Sequence, residues 1–136
     1  MIESGSIVRI PLQVSRDCVV ASIQVDLSEQ VLDRFRTDLL ELISSSGASG
    51  VILDLSGVEV MDFQDFDALR GTVAMADLMG ARTILSGLRA GVVSSLVELD
   101  ADTEDVIAVL DLDDAFRVME KLRSEDRDAQ QDDNGE

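Results

Sequence analysis

None of the 136 residues is histidine, tryptophan or tyrosine, and the chain holds one cysteine, one proline and one lysine. Without histidine there is no Ser-His or Cys-His pair, which removes the commonest ways of activating a nucleophile. Ser-Lys chemistry would have to recruit Lys121, which lies in the last helical stretch. Cys18 has no partner for an intrachain disulfide, in keeping with a reducing compartment. It lies in the apolar run Cys18-Val-Val-Ala-Ser-Ile23, where a buried strand thiol is the expected role. Basic residues number 11 against 28 acidic ones, a formal charge of −17. Nucleic acid is excluded as a partner because its phosphates need a basic footprint, and an anionic membrane surface would repel the chain. The plainest role of the excess charge is solubility. No apolar run approaches the roughly 18 residues that span a bilayer. Residues 1–6 lack a basic region followed by an apolar stretch. A soluble, cytoplasmic protein is expected.

Apolar residues make up 46% of the chain, enough for one aliphatic core. Ile7 to Leu12 alternates apolar and polar until Pro11, which marks an edge strand or a strand end. Val19 to Val25 is a second strand, and Arg16-Asp17 is the turn that pairs the two as a hairpin. Asp26 or Ser28 caps a helix on which Val31, Phe35, Leu39 and Leu42 recur at helical spacing, ended by Gly47 and Gly50. Val51 to Leu55 is nearly all apolar, as in a central parallel strand covered on both faces. A helix over 64–79 follows, with Asp62 as N-cap, Asp65 three positions on, and Phe66, Leu69, Val73 and Ala76 on its inner face. Arg82 to Ser86, Ala90 to Leu99 and Val106 to Leu110 read as strand, short helix and weak strand; Asp111 with Asp114 opens a last helix that buries Phe116, Met119 and Leu122. The order β-β-α-β-α-β-α-β-α is an α/β fold: a mostly parallel, mixed sheet of about five strands with about four helices. Residues 1–123 form one domain, and 124–136, polar and acidic, are expected to be a disordered tail.

Glu59, Asp62, Asp65 and Asp67 form an acidic cluster around the start of the second helix. Hard cations favour such oxygen donors, but a phosphoacceptor centre of the receiver type would also need a lysine near a late strand end, and carboxylates at a helix start are expected from the macrodipole alone. No metal is therefore assigned. No cofactor is assigned either: GxGxxG and a Walker lysine are both missing, and Ser46 to Gly50 follows a helix rather than opening one. Helix 64–79 carries more apolar width than one sheet contact needs, which leaves either a partner surface or burial under a neighbouring helix. Phe63 is either a docking anchor or a staple folded onto the domain.

The run Asp54-Leu-Ser-Gly-Val-Glu-Val-Met-Asp62-Phe-Gln-Asp-Phe66 resembles the signature of the STAS domain of bacterial anti-sigma-factor antagonists. The likeness extends from about Ile7 to Leu122, through Ser22-Ile-Gln-Val-Asp-Leu27, Gly50 to Leu55, Leu78-Met-Gly-Ala81, Ser86-Gly-Leu-Arg89 and Leu96-Val-Glu-Leu99, and is nearest to the stressosome-scaffold branch of that family. It implies a non-enzymatic regulator that binds a serine/threonine kinase of the switch type and other STAS subunits, as a homo-oligomer or a mixed assembly. In that family a serine or threonine usually follows the aspartate and accepts phosphate. Here Asp62 matches the aspartate and Phe63 fills the acceptor position without a hydroxyl. Three outcomes stay open: a constitutive binder; a relocated switch at Ser95, Ser86, Ser56 or Ser94; or permanent negative charge from Asp65 and Asp67. Met61, Asp62, Phe63, Gln64, Asp65 and Phe66 are the expected partner-binding residues. The alternative function is a small-ligand or nucleotide-binding STAS module.

Overall fold

The computed structural model describes residues 8–134. Five strands form one sheet in the order β1-β2-β3-β4-β5, each strand beside its predecessor in the chain. They are β1 (Leu12–Ser15), β2 (Cys18–Ser22), β3 (Gly50–Asp54), β4 (Arg82–Ser86) and β5 (Ile107–Val109). The helices are α1 (Glu29–Ser46), α2 (Phe63–Leu78), α3 (Ala90–Glu98) and α4 (Leu112–Asn134). β1 and β2 are antiparallel. The pairs β2–β3, β3–β4 and β4–β5 are parallel. The expected mixed sheet and element order are both present.

The hairpin turns through Arg16 and Asp17, both left-handed at φ 52° and 64°. Two consecutive residues at positive φ match the twist of the flanking strands. The turn is anchored by Ser49, whose hydroxyl donates to Asp17 Oδ2 at 2.7 Å and whose amide donates to the Asp17 carbonyl at 3.1 Å. The Arg16 guanidinium lies 4.6 Å from the Phe116 ring centre, tying the turn to α4.

Side chains alternate across the sheet and make two cores. Val19, Ala21, Val51, Leu53 and Leu85 point to the face covered by α1, α2 and α3, where Phe35, Leu39, Leu69 and Leu96 meet them. Cys18, Ile52 and Ile84 point to the opposite face, where Ala115 and Met119 of α4 cover them. Gly50 allows that closure: a Cβ there would lie 2.6 Å from Met119 Sδ and 3.2 Å from Cys18 Sγ.

Three expectations are corrected and one open choice is decided. The first strand is Leu12–Ser15, after Pro11 rather than before it; a ladder starts more easily beyond a residue with no N–H. Ile7, where that strand was expected to begin, lies outside the described residues. Ser28, not Asp26, caps α1, its hydroxyl accepting from the Val31 amide at 3.2 Å. The inner face of α2 carries Thr72 where Val73 was expected; Thr72 is buried because its hydroxyl donates to the Ala68 carbonyl at 3.2 Å. Lastly, α4 runs to Asn134, through the stretch read as a disordered tail. Residues 124–130 are exposed, and ion pairs such as Arg82–Asp126 and Arg127–Glu120 accompany this extension in place of apolar contacts.

Candidate functional site

The segment from Asp54 to Phe66 turns tightly at the carboxyl end of the parallel strands. The Leu55 amide donates to the Ser86 carbonyl at 2.8 Å, extending the β3–β4 pairing by one step. Asp54 Oδ1 accepts from the Ser56 amide at 3.0 Å and Leu55 O from the Val58 amide at 3.0 Å, so the chain folds back on itself. Gly57 lies against the end of β2: a Cβ there would be 2.9 Å from Gln24 Cα and 3.0 Å from the Ile23 carbonyl oxygen. Val58 and Met61 plug into the core at 3% and 1% exposure, while Val60 between them stands 79% exposed. Arg89, before α3, clamps the loop from outside, donating from Nε to the Ser56 carbonyl at 2.9 Å and pairing with Glu59 at 3.7 Å.

α2 then begins with a reciprocal cap. Asp62 Oδ1 accepts from the Asp65 amide at 2.8 Å, and Asp65 Oδ2 accepts from the Asp62 amide at 3.2 Å. Two of the helix's unpaired first-turn donors are satisfied this way. Burial pushes the Asp65 carboxyl above its ordinary range; the Asp62 amide opposes the shift and the Asp62 charge adds to it. Phe63 is the first helical residue and is 47% exposed.

Of the expected partner-binding residues, Asp62, Phe63 and Gln64 are exposed and Asp65 is half-buried. Met61 and Phe66, at 1% and 2% exposure, belong to the core and offer no side chain to a partner. A buried residue on each side of the exposed three gives the loop its rigidity. Val60 and Arg89 belong to the site although the sequence reading passed over them. The one available signal was the alternation Val58-Glu-Val60-Met61, too short to tell which valine faces out. Among the alternative hydroxyls, Ser86 is 1% exposed and closed to a kinase. Ser56 and Ser94 are exposed and Ser95 is half-buried.

The acidic cluster is divided among local tasks: Asp62 and Asp65 cap α2, Glu59 holds Arg89, and Asp67 is exposed. Among the described residues no three side chains of metal-binding type converge. Further along α2, Met75, Leu78 and Met79 are 40%, 89% and 43% exposed, so this part of the extra apolar width lies open rather than under another helix. No helix among the described residues is long and apolar enough to cross a membrane.

The family model described as "STAS domain" matches residues 9–124. Among solved structures, a serine-to-glutamate variant of RsbS from Moorella thermoacetica is 24% identical, with a TM-score of 0.73 over 85% of this chain and 97% of that one. A chain from a structure of the stressosome, described as a signal integration and transduction hub, is 24% identical, with a TM-score of 0.67 over 83% of this chain and 98% of that one. The Bacillus cell-fate determinant SpoIIAA in its phosphorylated form is 16% identical, with a TM-score of 0.59 over 80% and 98%. These likenesses are of fold. Comparison with curated protein sequences gives no match.

Proposed function

The chain belongs to the STAS domain family, and from that membership we propose that it is a non-enzymatic, cytoplasmic regulator of the anti-sigma-factor-antagonist or stressosome-scaffold type. Its docking face is the lip formed by Val60, Asp62, Phe63 and Gln64. Its partners are a serine/threonine kinase of the switch type and other STAS subunits. The observation that carries this reading is Phe63: an aromatic ring, half-exposed, on the first turn of a helix whose start is fixed by a reciprocal cap. An aromatic on a rigid support is an efficient anchor, because little conformational freedom is lost when it docks.

The phenyl ring also supports the reading of a constitutive binder. Phosphate at a helix start would add about −1.5 to −2 charges to the docking face, and residue 63 has no oxygen to receive it. Binding to a switch-type serine/threonine kinase from the same organism is measured by calorimetry, and phosphate is mapped by mass spectrometry after incubation with ATP. Micromolar or tighter binding with no phosphate on the wild type, and phosphate on the introduced hydroxyl in Phe63→Ser, are the expected results. A chain that binds neither that kinase nor another STAS subunit overturns the proposal. Phosphate at Ser95 on the wild type replaces the constitutive reading with a relocated switch.

A further inference from the structure

On the sheet face covered by α4, a cavity of about 340 Å³ lies at the carboxyl ends of β3 and β4. Asp54 and Ser86, paired across those strands, fall on the same face as Ile52 and Ile84 two residues earlier. The buried α4 residues on that face are Ala115 and Met119, further along the helix, so this last row of the sheet is left open. The chain between β5 and α4 forms the opposite wall with Leu110, Asp111 and Asp113. Gly87 makes the close turn at one side: its φ is 74°, and a Cβ there would lie 3.0 Å from Ser56 Cβ and 3.4 Å from Asp54 Oδ1.

Three carboxylates line this cavity and no basic side chain does. Asp54 Oδ1 accepts from the Ser56 amide at 3.0 Å and Asp111 Oδ1 from the Asp114 amide at 2.9 Å, local bonds that leave the second oxygen of each for another donor. Nearby arginines pair instead with Asp102, Asp105 and Asp114; among the described residues none pairs with these three. Ser86 is an independent sign of a ligand. It is 1% exposed, it lines the cavity, and its hydroxyl has no hydrogen-bond partner among the described residues. The unpaired polar atoms sealed from solvent are Arg70 Nε, Thr83 Oγ1 and Arg123 Nε. The Ser86 hydroxyl is not one of them, so the little surface it keeps opens on the cavity. A buried hydroxyl in that position calls for a partner.

We propose that this cavity binds a small aliphatic diamine. Ionised carboxylates only accept hydrogen bonds and a hydroxyl can accept one, so the group that serves all four is a donor. The three lining carboxylates outweigh the roughly half positive charge at the start of α4, so that donor is a cation. A single metal ion does not fit: among the described residues no three side chains of metal-binding type converge, and the carboxylates surround a space rather than a point. An ammonium at each end of a short alkyl chain spreads the positive charge to match. Leu110 and Leu112 give its methylene groups an apolar wall, and Leu110, 86% exposed, has surface to be covered. The formal charge of −17 attracts cations to the whole chain; the Ser86 hydroxyl is what singles out this place. The site does not rest on the kinase reading, since none of the residues of the docking lip lines it.

The test is an amide NMR titration of the full chain with putrescine in about 150 mM salt, which screens diffuse attraction. Butylamine supplies one charge, butanediol none, and magnesium is the inorganic control. Saturable shifts are expected at Ser56, Ser86, Gly87 and Leu112, with butylamine about tenfold weaker and butanediol silent. Ser86→Ala and Asp113→Asn should each weaken putrescine about fivefold or more. Asp54→Asn should do the same while its side-chain oxygen still accepts from the Ser56 amide. Asp77→Asn, at an exposed acid on α2 outside the cavity, should leave the affinity unchanged. The proposal is overturned by no saturable shift, by shifts spread over the acidic surface, by magnesium or butylamine binding as tightly at the same amides, by an Asp77→Asn loss as large as that of Asp113→Asn, or by a Ser86→Ala protein that binds putrescine undiminished.

Discussion

Asp62→Asn and Asp62→Ala separate the geometry of the α2 cap from its charge. In the folded chain Asp62 Oδ1 accepts from the Asp65 amide at 2.8 Å. Asparagine caps a helix as well as aspartate does, and its side-chain oxygen takes the same bond. Alanine leaves the Asp65 amide to water and breaks the reciprocal pair; losing an N-cap costs about 0.5–2 kcal/mol. Asp62 is exposed, so water offsets part of the loss and about 1 kcal/mol is the expected value in urea unfolding. The charge is read at Asp65. Its carboxyl is raised first by burial and further by the Asp62 charge, so in Asp62→Asn it should titrate lower by NMR. The folded state of the wild type holds the Asp65 proton to higher pH than the unfolded state. Asp65 therefore adds stability that is complete below the unfolded carboxylate pKa and lost as pH rises through the raised folded value. That decline should be shallower in Asp62→Asn. If asparagine destabilises as much as alanine, or Asp65 titrates no lower beside it, the cap does not work as described.

Three further perturbations test other parts of the structure. Gly50→Ala puts a methyl group into Met119 and should cost about 1–3 kcal/mol, with Met119→Val in the same chain making the pair less harmful than the sum of the single changes in urea unfolding. The Cys18 thiol is fully buried and its pKa is raised chiefly by that burial, with the Arg123 charge opposing; it should resist a thiol reagent at pH 8 in the native state and react fully in urea. Removing residues 124–136 loses the Arg82–Asp126 and Arg127–Glu120 pairs among the described contacts, so stability should fall by less than about 1 kcal/mol; a larger loss would mean that the end of α4 carries packing it is not seen to make.

What the sequence made legible were features decided within a few residues. The all-apolar run of β3 marked the sheet centre, the acidic pair three apart marked the start of α2, and Arg16-Asp17 marked the hairpin. What stayed hidden depended on distant partners. Met61 and Phe66 flank the exposed residues of the lip, and local pattern does not show that both point inward; the core they enter is assembled from strands and helices elsewhere in the chain. Thr72 took an inner position from Val73 because its hydroxyl could be satisfied by its own helix. A half-open cavity between the C-terminal half of α2 and the starts of β4 and β5 lies where β5 begins two residues later than β4 in their register, a mismatch that neither strand announces alone. The end of α4 was misjudged because a helix without an apolar stripe resembles a coil in composition.

The one-sided cover over Cys18, Ile52 and Ile84 has a consequence for biosynthesis. Every strand of the sheet can pair as it leaves the ribosome, since each joins its immediate predecessor, yet the greasy underside stays bare until the last helix emerges. A stalled or nicked nascent chain lacking that helix would be a nearly complete sheet with an adhesive back, a natural client for chaperones and proteases.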